Sequence, residues 1–227
     1  MNAALPQGRA PQWLVSPGLT GYADAVDAMA AHVASMAIGQ APERLWLLEH
    51  SPVITAGTSA NAADLLMPGR FPVIASGRGG QFTYHGPGQR IVYVMLDLSR
   101  RGRDVRALVA ALETWAIDAL ALLDVEAFTS DTGTGIWVHA GGGIGKIGAI
   151  GLRVRRWTSF HGMALNVSTD LSAYDAIIPC GIADHPVVRL ADLRPGIDMK
   201  RLDEALLAAI PPFIADAPLA AAPQLHS

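Results

Sequence analysis

The chain contains one thiol, Cys180, and two lysines, Lys146 and Lys200, beside 15 arginines. A thiol attacks carbonyls as its thiolate, and a neighbouring cation favours that form. Lysine can lend positive charge and also exchange a proton, whereas arginine keeps its proton. A cysteine and a lysine brought together would suit group transfer through a covalent intermediate. Cys180 stands between Pro179 and Gly181 in a short apolar run, a turn context that can present a side chain. The competing reading is a small buried hydrophobe. Lys200 falls near a helix start and reads as an exposed charge. Spacing along the chain does not by itself bring Lys146 and Cys180 together.

Three other segments carry candidate chemistry. Arg78-Gly-Gly-Gln-Phe-Thr-Tyr-His85-Gly-Pro-Gly-Gln89 mixes glycines with proton-donating and proton-accepting side chains. It reads either as a binding loop or as an ordinary turn with a surface histidine. His161 sits in the otherwise apolar run Phe160–Asn166, where a lone histidine is either structural or a proton-transfer group. Glycines cluster at 133, 135, 141, 142, 143, 145, 148 and 151. Gly143, Gly145 and Gly148 match GxGxxG, but a dinucleotide site needs a helix to follow and a strand-like run follows here. The phosphate-binding GxxxxGK[ST] pattern fails at Ala140 and Ile147. Both nucleotide readings are rejected.

These residues must be positioned by a chain of 227 residues with a net charge of -3, enough for one large domain. No apolar stretch is long enough for a membrane helix, and no secretory signal is recognised at the start. The balance of charge argues against a nucleic-acid binder, and one cysteine excludes an internal disulfide and a cysteine-rich metal cluster. A cytoplasmic protein without a metal is expected. Helical spacing marks Tyr22–Ile38 and Asp104–Leu123, the latter through Leu108, Leu112, Trp115 and Ala119. A last helix runs over about Met199–Ala209, stopped by Pro211 and Pro212. Strands are expected at Leu45–Leu48, Pro52–Ala56, Pro72–Ala75, Ile91–Leu98, Gly135–Val138, Lys146–Arg155 and Ser159–Asn166. In Lys146–Arg155, alternation puts Ile147, Ala149 and Gly151 on one face and Gly148, Ile150, Leu152 and Val154 on the other. Short turns join most strands, so the fold class is α+β: one domain with a mixed, largely antiparallel sheet flanked by helices. The expected organisation is an irregular lead-in over 1–18, a catalytic domain over 19–216 and a mobile tail over 217–227.

Together these segments resemble the lipoyl(octanoyl) transferase, or lipoate-protein ligase B, family. The resemblance spans about Leu45 to Leu190. It rests on Leu47-Leu-Glu-His50, Arg78 to Gln89, Lys146-Ile-Gly-Ala-Ile-Gly151, His161-Gly-Met-Ala-Leu-Asn166 and Pro179-Cys-Gly181. It implies a fold shared with biotin and lipoate protein ligases. It implies a reaction in which octanoyl, or lipoyl, passes from acyl carrier protein to the cysteine matching Cys180. The acceptor is then a lysine of a lipoyl domain, on a 2-oxoacid dehydrogenase or a glycine-cleavage H protein. Lys146 matches the lysine that lowers the thiol pKa and shuttles protons. Arg78, Gly79, Gly80, Gln81, Phe82, Thr83, Tyr84 and His85 match one substrate-binding segment. Ala149, Ile150 and Gly151 match a second, and Gly162, Met163 and Ala164 a third, with Ile150 and Met163 expected as apolar walls. No cofactor, membrane or nucleic acid is implied, and ATP is not needed, because amide formation from a thioester is downhill. A glycine-rich approach to Lys146 departs from the family and is expected to be mobile. Two arginine groups, Arg100/Arg101/Arg103 and Arg153/Arg155/Arg156, are candidate docking patches for the carrier. The rivals are an ATP-dependent ligase, a thiol hydrolase and a non-catalytic acyl binder. The Pro-Cys-Gly context and the retained Cys180 and Lys146 speak against the first and the last; product analysis would decide the second.

Overall fold

A computed structural model describes residues 10–179 and 185–215. Cys180 and Gly181 lie outside the described residues, as do 1–9 of the expected lead-in and the whole expected tail, 217–227. Ten strands and five α-helices make up the described chain, with most of the strands in two runs, over 44–95 and 127–166. The strands are β1 Gln12–Thr20, β2 Arg44–His50, β3 Val53–Ala56, β4 Val73–Ala75, β5 Phe82–His85, β6 Gln89–Met95, β7 Ala127–Phe128, β8 Ile136–Ala140, β9 Gly143–Arg155 and β10 Thr158–Asn166. The helices are α1 Tyr22–Ala37, α2 Val105–Ala121, α3 Leu190–Leu193, α4 Met199–Ala208 and α5 Pro212–Ala215.

Seven strands form one sheet in the order β1-β2-β6-β10-β9-β8-β7, and β4-β3-β5 form a second, smaller one. In the large sheet only β1 and β2 run parallel, so it is mixed and largely antiparallel. The hydrophobic faces of the helices decide the layers. Leu108, Leu112, Trp115 and Ala119 of α2 and Leu202 and Leu206 of α4 pack against Leu45, Leu47, Val92, Val94 and Leu165 of the large sheet. Ala25, Met29 and Val33 of α1 cover the opposite face through Trp46, Leu48, Ile91, Tyr93 and Ala164. Period-2 alternation along β2, β6 and β10 sends successive side chains to these two cores. Asp104 caps α2 by accepting from the Ala107 amide, and Asp198 caps α4 by accepting from the Arg201 amide.

Residues 12–18 correct the expected irregular lead-in. They belong to an edge strand, whose residues Gln12 to Val15 pair with Arg44 to Leu47 and whose Leu19 and Thr20 pair with Glu49 and His50. The register shifts between Val15 and Leu19, where Pro17 and Gly18 lie. Edge position and a bulge are the places a strand tolerates proline, so the prolines hid the strand without preventing it. The glycine-rich approach to Lys146 is also ordered. Gly141 and Gly142, with φ of 59° and 81°, link paired Ala140 and Gly143 as a two-residue hairpin turn. Positive φ at both central residues is what that turn needs and glycine allows. Arg101 is not available to a docking partner: it is buried, and its guanidinium is paired with Glu43 and donates to the Phe213 and Ile214 carbonyls.

Candidate active site

A cavity of about 340 Å³ lies between the α1-facing side of the large sheet and strand β5 of the small one. That falls at the lower end of the range for small-ligand pockets. Its floor is the pair of strands β9 and β10, which contribute Lys146, Ala149 and Gly151, and Gly162 and Ala164. Gly151 pairs directly with Gly162, and Ala149 with Ala164. These are the smallest side chains available, so the floor leaves room for an occupant.

Strand alternation divides the expected substrate-binding set. Arg78, Gly80, Gln81, Thr83 and His85 line the cavity, whereas Gly79 does not. Phe82 and Tyr84 point the other way, into the small-sheet core with Ile54 and Ile177. They support the wall and do not form it. Ile150 and Met163 do border the cavity. Both, however, pack in the α2-side core, so alternation leaves their main chain to face the cavity. This corrects the expectation that they supply apolar walls. Ile91, Tyr93 and Tyr22 supply them, and Thr132, Gly133 and Thr134 line the cavity beside them. Of these, only Gly133 was singled out from the sequence, as one of the clustered glycines. Tyr22 was visible only as a helix start.

Two side chains reach the cavity by breaking the alternation rule. Trp137 pairs with Lys146 while its predecessor Ile136 pairs with Gly148, so β9 carries one extra residue, Ile147. This bulge returns Lys146 to the cavity face and sends Ile147 into the α2-side core with Ile150, Leu152 and Val154. The expected grouping of Ile147 with Ala149 and Gly151 is thereby overturned. His161 has φ of 63°. Alternation would place it with Met163 on the α2 side. The left-handed turn instead sets it against Tyr93, ring centroids 5.7 Å apart, in the cavity wall. A non-glycine residue held there costs about 1–2 kcal/mol, and such strain concentrates at functional sites.

Lys146 is buried. Its Nζ donates to the Thr134 carbonyl at 2.9 Å and lies 5.3 Å from the centroid of the Trp137 ring. The main chain of Lys146 is held from outside the sheet as well. Its amide donates to the Pro186 carbonyl at 2.9 Å, and the Val188 amide donates to its carbonyl at 3.0 Å. Pro179, the residue before Cys180, lines a smaller cavity with Lys146, Gly148, Asn166 and Val187. Gly135 lies against the lysine stem: a Cβ there would sit 2.5 Å from Lys146 Cε and 2.7 Å from the Gly148 carbonyl oxygen. Its φ is 141°, a conformation other residues rarely adopt. Gly135→Ala is therefore expected to cost about 1–3 kcal/mol of stability. It should also lower turnover at least tenfold by displacing Lys146. Melting curves and kcat check this, and unchanged kcat would show that the lysine stem has slack.

Three histidines, His85 and His161 in the cavity wall and His50 behind them, form one buried cluster. His50 Nδ1 donates to the Thr20 carbonyl at 2.9 Å, which leaves Nε2 to accept from the Tyr93 hydroxyl at 2.7 Å. His85 Nδ1 donates to Gln89 Oε1 at 2.7 Å. Burial, then the neighbouring His50, hold His85 down at about 3, even though the Gln89 hydrogen bond works in the opposite sense. Burial, then Arg78 and Arg153, hold His161 at about 4. Burial also lowers His50 and raises Tyr22 and Tyr93. Folding thus favours unprotonated His85 and His161, while the unfolded chain takes up protons below about pH 6.5. Their contribution is complete above that pH and is lost as pH falls from about 6.5 towards 4 for His161 and towards 3 for His85. Urea unfolding should show stability falling in that window by on the order of 1 kcal/mol per pH unit per histidine. His85→Asn should flatten the slope, and an equally steep slope in that variant would assign the loss elsewhere.

A mixed sheet that carries a partly open cavity with a small-residue floor, a polar and aromatic wall and a buried lysine suits a small, mostly apolar ligand. Solved structures share the fold. A bipartite lipoate protein ligase from Thermoplasma acidophilum matches with TM-score 0.64 at 15% identity, over 91% of this chain and 84% of that one. A lipoate-protein ligase A bound with ATP matches with TM-score 0.68 at 15% identity, over 90% and 85%. The lipoyl protein ligase A/B catalytic domain model matches residues 21–211, and the chain belongs to that family. A curated octanoyltransferase of Sphingopyxis alaskensis is 54% identical over 211 residues, 92% of this chain and 97% of its own. An octanoyltransferase of Maricaulis maris is 56% identical over 198 residues, 86% and 88%. Among the described residues no helix is long and apolar enough to cross a membrane.

Proposed function

We propose that the protein is an octanoyltransferase that moves an octanoyl group from acyl carrier protein to the lysine of a lipoyl domain through a thioester on Cys180. The observation that carries this reading is Lys146: a buried lysine at the cavity's edge, returned to that face by a bulge, which lines a smaller cavity together with Pro179, the residue before the chain's single cysteine. The identity of the octanoyltransferase relatives supports the acyl group and the reaction class.

In this reading the positive charge of Lys146 favours the Cys180 thiolate. Sγ attacks the donor's thioester carbonyl, the carrier's thiolate leaves, and a proton from Lys146 accompanies it. The acceptor lysine's amine then attacks the acyl-cysteine. An amide forms, Sγ is expelled, and the amine's proton returns through Lys146. Each half-reaction needs one docked carrier, which is the gain from a covalent intermediate. The alkyl chain lies over Ala149, Gly151, Gly162 and Ala164, each buried methylene contributing about 0.8 kcal/mol. Arg78 shapes the wall: its guanidinium donates to the Thr55, Gly79 and Gln81 carbonyls. The specific acceptors, 2-oxoacid dehydrogenase lipoyl domains and glycine-cleavage H protein, and a cytoplasmic location belong to the same reading.

Arg155 and Arg156 lie at the end of the β9–β10 hairpin away from Lys146, about 30 Å along the strand at roughly 3.3 Å per residue. A donor docked there would have to reach across that distance, which counts against this group as its seat. The deciding experiment mixes the protein with octanoyl-acyl carrier protein, without ATP, and reads intact mass. A gain of one octanoyl group, discharged by adding apo lipoyl domain, supports the transferase. Modification of the lipoyl domain only when ATP and free fatty acid are supplied would make the protein a ligase.

A further inference from the structure

A buried amide network runs behind the cavity and ends on the segment that clamps Lys146. Gln89 and Asn166 are both buried, and no catalytic or substrate-binding role was assigned to either. Gln89 Oε1 accepts from His85, which orients its amide. Its Nε2 then donates to Asn166 Oδ1 at 2.9 Å, and contacts the Tyr84 carbonyl at 3.2 Å and the Tyr174 hydroxyl at 2.9 Å. Tyr174 in turn donates to Asn166 Oδ1 at 3.2 Å. With both donors aimed at its oxygen, Asn166 presents Nδ2 outward, and Nδ2 donates to the Val188 carbonyl at 3.1 Å.

Val188 belongs to the segment that clamps Lys146. Pro186 and Val188 bond the main chain of Lys146 on both sides, and Val187 bridges to it in parallel. The bulge at Ile147 interrupts the regular β8–β9 ladder at this point, so the returning segment supplies restraint the sheet does not. Asn166 ties this segment to β10 directly, while the Ala191 amide and the Arg189 guanidinium hold the chain beyond it to the Val167 and Thr169 carbonyls. A network in which every member is satisfied holds a single geometry, and one altered member unsettles the rest.

We infer that Asn166, oriented by Gln89 and Tyr174, is a positioning residue that fixes Lys146 at the cavity by tying the 186–188 segment to β10. The inference rests on the catalytic role proposed for Lys146, but its structural half is independent of that role. Asn166→Asp keeps the shape and replaces the donor facing Val188 with an acceptor.

The test has three arms. Hydrogen exchange should speed up at the Lys146 and Val188 amides in Asn166→Asp, while the β6–β10 ladder stays protected. Turnover should fall by about 100-fold, as expected when a reacting group is displaced by about 1 Å, with KM for both carriers little changed. Alkylation of Cys180, the only thiol, should need higher pH in the variant, moving towards the ordinary thiol value of about 8.5. If Asn166→Asp does not fold, Asn166→Ser carries the same arms, because its shorter side chain cannot span to Val188. Unchanged exchange at Lys146 and Val188 would overturn the inference. Faster exchange with unchanged kcat and alkylation would also overturn it, since Lys146 would then be tied down by other means. If Lys146→Ala itself leaves turnover intact, the failure belongs to the proposed role of Lys146; the exchange arm still reports on the clamp.

Discussion

Replacing Cys180 with alanine is expected to abolish octanoyl transfer, lowering kcat/KM by at least about 1,000-fold. The octanoyl adduct should also vanish from the intact mass. The size of the effect follows from the chemistry. Without the thiol, the acceptor lysine must attack the carrier-bound thioester directly, with two bulky proteins docked at one cavity at once. The variant should still fold, because alanine removes a single sulfur atom. Melting temperature and cavity binding of a short-chain acyl analogue serve as controls. Cys180→Ser sharpens the test: a hydroxyl of similar size is a far weaker nucleophile, so it should accumulate little acyl ester. Transfer at more than a few per cent of the native rate in Cys180→Ala would remove the covalent step and leave Lys146 to act alone.

Lys146→Arg should lower kcat by about 100- to 1,000-fold although the charge is retained. Two independent reasons point the same way. Arginine does not exchange its proton, and proton transfer by a positioned group contributes about 100- to 10,000-fold. The site is also built to the width of an alkyl stem: Gly135 closes on Lys146 Cε, Trp137 lies beneath Nζ, and the Thr134 carbonyl accepts its hydrogen bond. A planar guanidinium does not occupy the same place. The steric and the proton-transfer explanations separate in the pH dependence of Cys180 alkylation. If only proton transfer is lost, Lys146→Arg leaves the thiol as reactive at neutral pH as in the native protein while transfer fails. If the guanidinium is displaced, alkylation slows as well. Native-like transfer in Lys146→Arg would mean that no proton passes through this residue.

Much of this site was legible in the chain. The retention of one cysteine and of Lys146 in an arginine-rich composition marked both residues, and the motif order supplied the family. The strands and the two long helices followed from periodicity, because alternation and helical spacing report which face meets a core. Edge effects were not legible. The prolines of β1 signal a break, and only pairing with β2 shows that they sit at an edge and a bulge where they do no harm. Within Arg78–His85, the motif identifies the segment but not its sides. The small sheet decides that Thr83 and His85 face the cavity while Phe82 and Tyr84 face away.

The sequence by itself determined the inventory: a mixed sheet with its helices, small residues on strands that face each other, one thiol and one unexplained lysine. Tertiary structure decided which of these side chains share a space. Lys146 and His161 are the clearest cases, since strict alternation assigns both to the α2 side of the sheet. A bulge at Ile147 returns the first to the cavity and a left-handed backbone the second. Neither is encoded locally. A bulge exists only relative to the strand it is paired with. A strained φ persists only where surrounding packing, here Tyr93 and Met29 against His161, compensates for it.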